Sequence, residues 1–188
     1  MNSIERLYGL GQSIWYDNIQ RRLLENGELE GMIRRREIFG VTSNTSIFQN
    51  AIAKSNDYDA ALKTMAWAGW TSEEIFWELA IEDIRSAADK FRALYDETDG
   101  RDGYVSLEVN PLLAHDAEGT FREAVSLWHR VNRENLMIKI PATKEGVIAV
   151  RKAIAEGLNV NVNLIFSCER YQEMYDCYMS GLEHRPSL

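Results

Sequence analysis

Lys139 stands in the run Met137-Ile138-Lys139-Ile140-Pro141, with large apolar residues on both sides. A lysine in such a strand either points to solvent at a sheet edge or is buried. Burial without a partner lowers an ammonium pKa from about 10.4 toward neutrality. A neutral amine attacks carbonyl carbon, so the buried alternative implies Schiff-base chemistry. That chemistry needs a proton relay to expel water from the carbinolamine. If a carbon–carbon bond is to break, it also needs a base to take a hydroxyl proton. Glu108, in Val105-Ser106-Leu107-Glu108-Val109, and Asp17, in Ser13-Ile14-Trp15-Tyr16-Asp17, are carboxylates on two other strand-like runs and fit those two roles. Each alone has a second reading: Asp17 as a cap for the next helix, Glu108 as a surface strand residue. Asn44 and Asn161 are candidates to hydrogen-bond a substrate hydroxyl or carbonyl, or to serve as turn residues. His115, His129 and His184 show no ligand spacing, so no metal site is expected.

These residues need strands to carry them, and the apolar spacing alternates between short strand-like runs and longer helical stretches, the pattern of βα units and a parallel sheet. Strands are expected at 13–17, 38–43, 104–109, 136–140 and 158–166. Helices are expected at 3–10, 21–26, through Phe48, Ile52 and Ala53, from 57 to 95 with a break at 68–71, and at 120–131, 145–156 and 169–182. Asn44-Thr45-Ser46 can cap the helix through Phe48, and Thr71 with Glu74 forms a capping-box signal. Five strands with helices between them admit an open doubly wound sheet or a closed barrel. No glycine-rich loop follows a strand, and Asp17, Asn44, Glu108, Lys139 and Asn161 lie in or at the ends of strands, which is the arrangement of a barrel active site. Trp67, Trp70 and Trp77 are expected as core or packing residues.

The chain has 188 residues, 45% hydrophobic and 27% charged, with a net charge of −8. This is a globular composition, sized for a single domain over 1–188. The acidic balance argues against nucleic acid or an anionic membrane as partner. The one dense basic cluster, Arg34-Arg35-Arg36, reads as a solvated helix end. Cys168 and Cys177, on different turns of one helical stretch, are expected as reduced thiols. No signal-peptide pattern and no apolar run near the ~20 residues of a membrane helix is present, so a soluble, cytoplasmic protein is expected.

Five ordered motifs carry a resemblance: Gly-Gln-Ser-Ile-Trp-Tyr-Asp-Asn at 11–18, Gly-Val-Thr-Ser-Asn-Thr-Ser-Ile-Phe at 40–48, Tyr-Val-Ser-Leu-Glu-Val-Asn-Pro at 104–111, Met-Ile-Lys-Ile-Pro-Ala-Thr at 137–143 and Asn-Val-Asn-Val-Asn-Leu-Ile-Phe-Ser at 159–167. Together they resemble transaldolase, especially its longer bacterial and plastid-like form, from about Leu10 to Leu182. The resemblance implies an α/β fold, a (β/α) TIM barrel of class I aldolase type. It implies transfer of a dihydroxyacetone unit between sugar phosphates in the pentose phosphate pathway, with no metal or organic cofactor. Within it, Lys139 is the Schiff-base lysine, Asp17 the base for cleavage and Glu108 the relay acting through a bound water. Ser43, Asn44, Asn161 and Asn163 fall at substrate-binding positions.

Two positions depart from the family pattern. Ser43-Asn44-Thr45 replaces Ser-Asn-Pro, losing a proline that stiffens the turn. Asn161-Val162-Asn163 replaces Asn-Val-Thr, exchanging a hydroxyl that helps hold the water for an amide of different reach. A complete barrel typically needs about 250 residues. The expected barrel is therefore incomplete, with about five of eight strands and no counterpart of the family's phosphate-binding basic residues. Two other readings follow from that: an aldolase that cleaves without transferring, and a silent partial barrel whose open edge is covered by a homo-oligomer or a partner chain.

Overall fold

A computed structural model describes residues 3–185. The chain forms two compact units, one running up to Val105 and including Arg133–Asn135, the other made of Ser106–Asn132 and the residues from Leu136 on.

The first unit holds α1 (Ser3–Gly9), β1 (Trp15–Asp17), α2 (Arg21–Glu25), α3 (Glu28–Arg34), β2 (Gly40–Thr42), α4 (Thr45–Lys54), α5 (Asp59–Trp67) and α6 (Ser72–Glu97). β1 and β2 pair in parallel, with Trp15 opposite Gly40 and Asp17 opposite Thr42. The next strand starts beside β2, where Val41 N–H donates to the Tyr104 carbonyl at 3.0 Å. The long helix α6 begins at a complete capping box, Thr71 accepting from Glu74 N–H while the Glu74 carboxylate accepts from Thr71 N–H. Its buried face includes Ile75 and Leu79 and, further along, Ile84, Ala88, Phe91 and Leu94, each pair or run at the three- and four-residue spacing that puts one helix face in the core.

Three expectations need correction here. The stretch 28–34, to which no element was assigned from sequence, is a separate helix. Gly27 turns the chain with a φ of 81°, and the Asn26 carboxamide oxygen accepts from Glu28 N–H at 2.9 Å, dividing α2 from α3. Asp17 is no helix cap, because the residue before α2 is Gln20 and provides no side-chain cap. Among the tryptophans only Trp77 is buried; Trp67 is 87% exposed and Trp70 44%.

A buried polar knot ties α2, α5's approach and α6 together within this unit. Tyr58, fully buried, accepts from Arg21 N–H at 2.9 Å and donates its hydroxyl proton to Asp83 at 2.6 Å. The Arg21 guanidinium bridges Asp83 at 2.9 Å and Glu82 at 2.8 Å, and lies 4.7 Å from the centre of the Tyr58 ring. Burial pushes the Asp83 carboxyl above the ordinary carboxylate range, against the pull of Tyr58 and Arg21.

The second unit contains most of β3 (Val105–Glu108), a 3₁₀ turn at Pro111–Leu113, α7 (Ala117–Val131), β4 (Leu136–Pro141), α8 (Lys144–Ala155), β5 (Val160–Asn163) and α9 (Cys168–Glu183). β4 pairs in parallel with β5, Lys139 opposite Asn161 and Pro141 opposite Asn163, while Val109 N–H donates to the Lys139 carbonyl at 3.1 Å. Leu107, Ile138, Ile140, Leu127, Val150 and Ile154 fill the core that the strands share with α7 and α8. β5 is shorter than the run 158–166 suggested. Leu164 takes a left-handed φ of 60°, which no strand can continue. Among the described residues the strand order is β1-β2-β3-β4-β5, each strand beside its neighbour in sequence, with no reversal of the kind that makes a doubly wound sheet.

The turn from β4 into α8 is drawn tight around Gly146. Thr143 caps α8, accepting from Gly146 N–H at 2.9 Å while its own hydroxyl donates to the Ala114 carbonyl at 2.6 Å. A Cβ on Gly146 would lie 1.9 Å from the Pro141 carbonyl oxygen, a backbone atom that cannot rotate away. Gly146→Ala is therefore expected to destabilise the protein by about 3 kcal/mol, the upper end for overpacking, read as a lowered urea midpoint.

Candidate active site at Lys139

Lys139 sits in the middle of β4, and its alternation with Ile138 and Ile140 decides its environment. Those two neighbours are fully buried on one face, so Lys139 points to the other. It is only 8% exposed, which rules out the reading as a solvent-facing edge lysine. Glu108 on β3 supplies the compensating charge. Its Oε2 lies 3.6 Å from Lys139 Nζ, with both side chains mostly covered.

The same period of two brings four more side-chain positions onto this face. On β3 they are Ser106 and Glu108; on β5 they are Asn161 and Asn163. Asn161 Nδ2 donates to Ser106 Oγ at 3.2 Å, and Asn163 Nδ2 donates to Glu108 Oε1 at 2.9 Å. Adjacent strands are about 4.8 Å apart, so side chains of β3 and β5 that touch do so by leaning across β4, over the position of Lys139. The lysine thus emerges between two bridges, one neutral and one anionic. Such a surround can hold a buried amine and exchange a proton with it.

The other expected residues lie in the first unit. Asp17 ends β1 as an exposed carboxylate with no hydrogen-bond or ion-pair partner among the described residues. Asn44 follows β2 and caps α4, its Oδ1 accepting from Ile47 N–H at 2.9 Å, which leaves the amide NH₂ for other work. Ser43 is fully buried beside it.

Ser106 is the residue at Lys139 that the sequence reading missed. A serine two positions before a glutamate in a strand gives little signal by itself, although the period of two places it on the glutamate's face. The cysteines are unpaired, Cys168 exposed and Cys177 buried, and burial raises the Cys177 thiol pKa. Among the described residues no group of three His, Cys, Asp or Glu side chains could hold a metal ion, and no helix is long and apolar enough to cross a membrane.

Parallel strands in sequence order, with helices between them and a buried lysine–carboxylate pair from neighbouring strands on one sheet face, define an α/β protein of the (β/α)-barrel class. Residues 14–181 match the transaldolase/fructose-6-phosphate aldolase family. A transaldolase of Trichodesmium erythraeum is 47% identical over 184 residues, covering 98% of this chain and 48% of that protein. The transaldolase of Thermobifida fusca is 48% identical over 180 residues, 96% of this chain and 49% of that one. The chain belongs to the transaldolase/fructose-6-phosphate aldolase family, and it spans about half the length of the curated relatives it matches.

Proposed function

We propose that the protein transfers a dihydroxyacetone unit from a ketose phosphate to an aldose phosphate through an imine at Lys139. In pentose phosphate terms the reaction takes sedoheptulose 7-phosphate and glyceraldehyde 3-phosphate to erythrose 4-phosphate and fructose 6-phosphate, in the cytoplasm. The observation that carries this reading is the pairing of a buried ammonium with Glu108 at 3.6 Å, beside amides that suit a polyhydroxylated ligand. The names of the relatives support the same reaction class. Glu108 takes a proton from Lys139 to free the amine for attack, and returns it to the carbinolamine oxygen as water leaves. The resulting iminium withdraws electrons and stabilises the three-carbon fragment as an enamine until an aldose accepts it. Asp17 is assigned as the base for the hydroxyl proton, with Ser43, Asn44 and Asn161 as substrate-binding residues. Fructose 6-phosphate with erythrose 4-phosphate should yield sedoheptulose 7-phosphate. Dihydroxyacetone released with or without acceptor, and no heptulose, would instead mean an aldolase that cleaves without transferring.

Asp17→Asn separates the steps. The variant should still form the Lys139 imine, while turnover falls by about 10²–10⁴-fold, the usual worth of a general base. Borohydride trapping measured beside product release reads the two quantities independently.

A second reading has its own observation. Tyr171, Tyr175, Tyr178, Met179 and Leu182 form an exposed apolar stripe along α9, and β5, the last strand in the order, has one side unpaired among the described residues. We propose that a second copy of this chain covers this face, pairing along β5 and packing on α9. Light scattering of the purified protein tests it: a monodisperse monomer with no tendency to associate contradicts the proposal.

A further inference from the structure

We infer that Asn163 is a positioning residue that decides which oxygen of Glu108 exchanges protons with Lys139. Its chemical use rests on the imine reading above; its geometry stands apart from it. The Asn163 Nδ2 group can only donate, and it donates to Glu108 Oε1 at 2.9 Å. An oxygen engaged in that way accepts and carries no proton. The proton that Glu108 takes up therefore goes to Oε2, the oxygen 3.6 Å from Lys139 Nζ. The opposite orientation of the carboxamide would set Oδ1 against Oε1, acceptor against acceptor, and an ionised glutamate rejects it.

The clamp has a firm base. Asn163 ends β5 opposite Pro141, and its carbonyl accepts from Ala142 N–H at 2.9 Å, so the side chain leaves a hydrogen-bonded backbone. Oδ1 is buried and makes no hydrogen bond, which leaves the Glu108 contact to orient the carboxamide. A hydroxyl at this position both donates and accepts, and can pass a proton on; a carboxamide cannot. Residue 163 of this chain thus orients the relay without joining it, and proton traffic is confined to Oε2. Imine formation balances through that one oxygen. In two passes Oε2 carries two of the three ammonium hydrogens to the carbonyl oxygen, which leaves as water. The third hydrogen stays on the iminium nitrogen, and Glu108 ends ionised as it began.

The test combines a spectrum with a rate profile. In the ¹⁵N–¹H spectrum of the protein, one Asn163 carboxamide proton should lie downfield of its partner, and Glu108→Ala should collapse that separation. In borohydride trapping with dihydroxyacetone across pH, Asn163→Leu keeps the side-chain size and loses the donor. A carboxylate without its donor binds a proton more tightly, so the acid limb of the trapping rate should move up by about one pH unit, tenfold in proton concentration. Asn163→Asp, with the same shape and no donor, should move it in the same direction should the leucine variant fold poorly. Asn163→Thr, which restores a donor, should bring the limb part of the way back. A carboxamide signal indifferent to Glu108→Ala, or superimposable acid limbs, overturns the inference. If the unsubstituted protein forms no adduct at any pH, the imine reading of function fails, and the carboxamide signal alone then decides the clamp.

Discussion

Lys139→Met should end imine formation and cut turnover on the order of 10⁶-fold, the scale lost when a covalent nucleophile is removed. The variant keeps the length and apolar stem of lysine, so β4 keeps its place in the sheet, with Ile138 and Ile140 still buried on its other face. What changes besides chemistry is charge. Glu108, 15% exposed in its side chain, loses the ammonium 3.6 Å away and keeps only the Asn163 donor on its other oxygen. Removing one member of a buried ion pair costs about 3 kcal/mol or more, because the remaining charge stays desolvated. Lys139→Met/Glu108→Gln, with neither charge, should recover most of that stability and none of the activity. A urea melt and a transfer assay on the same samples separate the two effects. Recovered activity in the double variant would place the chemistry elsewhere.

The second large effect is on folding and lies far from Lys139 in sequence. Asp83→Ala should destabilise the protein by about 3–5 kcal/mol. It removes the acceptor of the Tyr58 hydroxyl and one of the two carboxylates that hold Arg21. Tyr58 is then a fully buried hydroxyl without its acceptor, and Arg21 a largely buried cation on Glu82 alone. Acidity should show the same residue. Burial raises the folded carboxyl above its unfolded value near 3.9, so between those two pH values the folded state keeps a proton the unfolded chain has lost. Asp83 thus favours folding most below the unfolded value, and the advantage declines as pH rises through the folded one. Asp83→Asn, which cannot titrate, should lose that component of the pH dependence, measured as urea midpoints from pH 4 to 7.

The contrast between these two groups shows what a sequence can reveal. Lys139 and Glu108 were legible because each interrupts a short apolar strand, and a charge in that setting needs a reason. Asn161 and Asn163 fell within the run expected as the fifth strand, but their register opposite Lys139 and Pro141 came only from the folded chain. The Arg21–Tyr58–Asp83 knot left no such trace. Its members come from separate elements, 37 and 25 positions apart, and each looks ordinary among its local neighbours. The exposed Trp67 and Trp70 misled for the opposite reason: aromatic rings suggest a core, yet the end of α5 and the turn after it leave these two outside. What went unread was α3 itself: the expected helix stopped at Asn26, and the left-handed Gly27 turns the chain straight into a second short helix. Local pattern thus identified the strands and their charged residues, while long-range polar pairing and exposure depended on the folded chain.

The central claim is that Lys139 forms the covalent bond to substrate. Incubation with fructose 6-phosphate and borohydride, followed by intact mass and peptide mapping, tests it most directly. One reduced three-carbon or ketose adduct per chain is expected, located on Lys139 and absent from Lys139→Met. A folded protein that leaves Lys139 unmodified, or carries its adduct on another lysine, would contradict it.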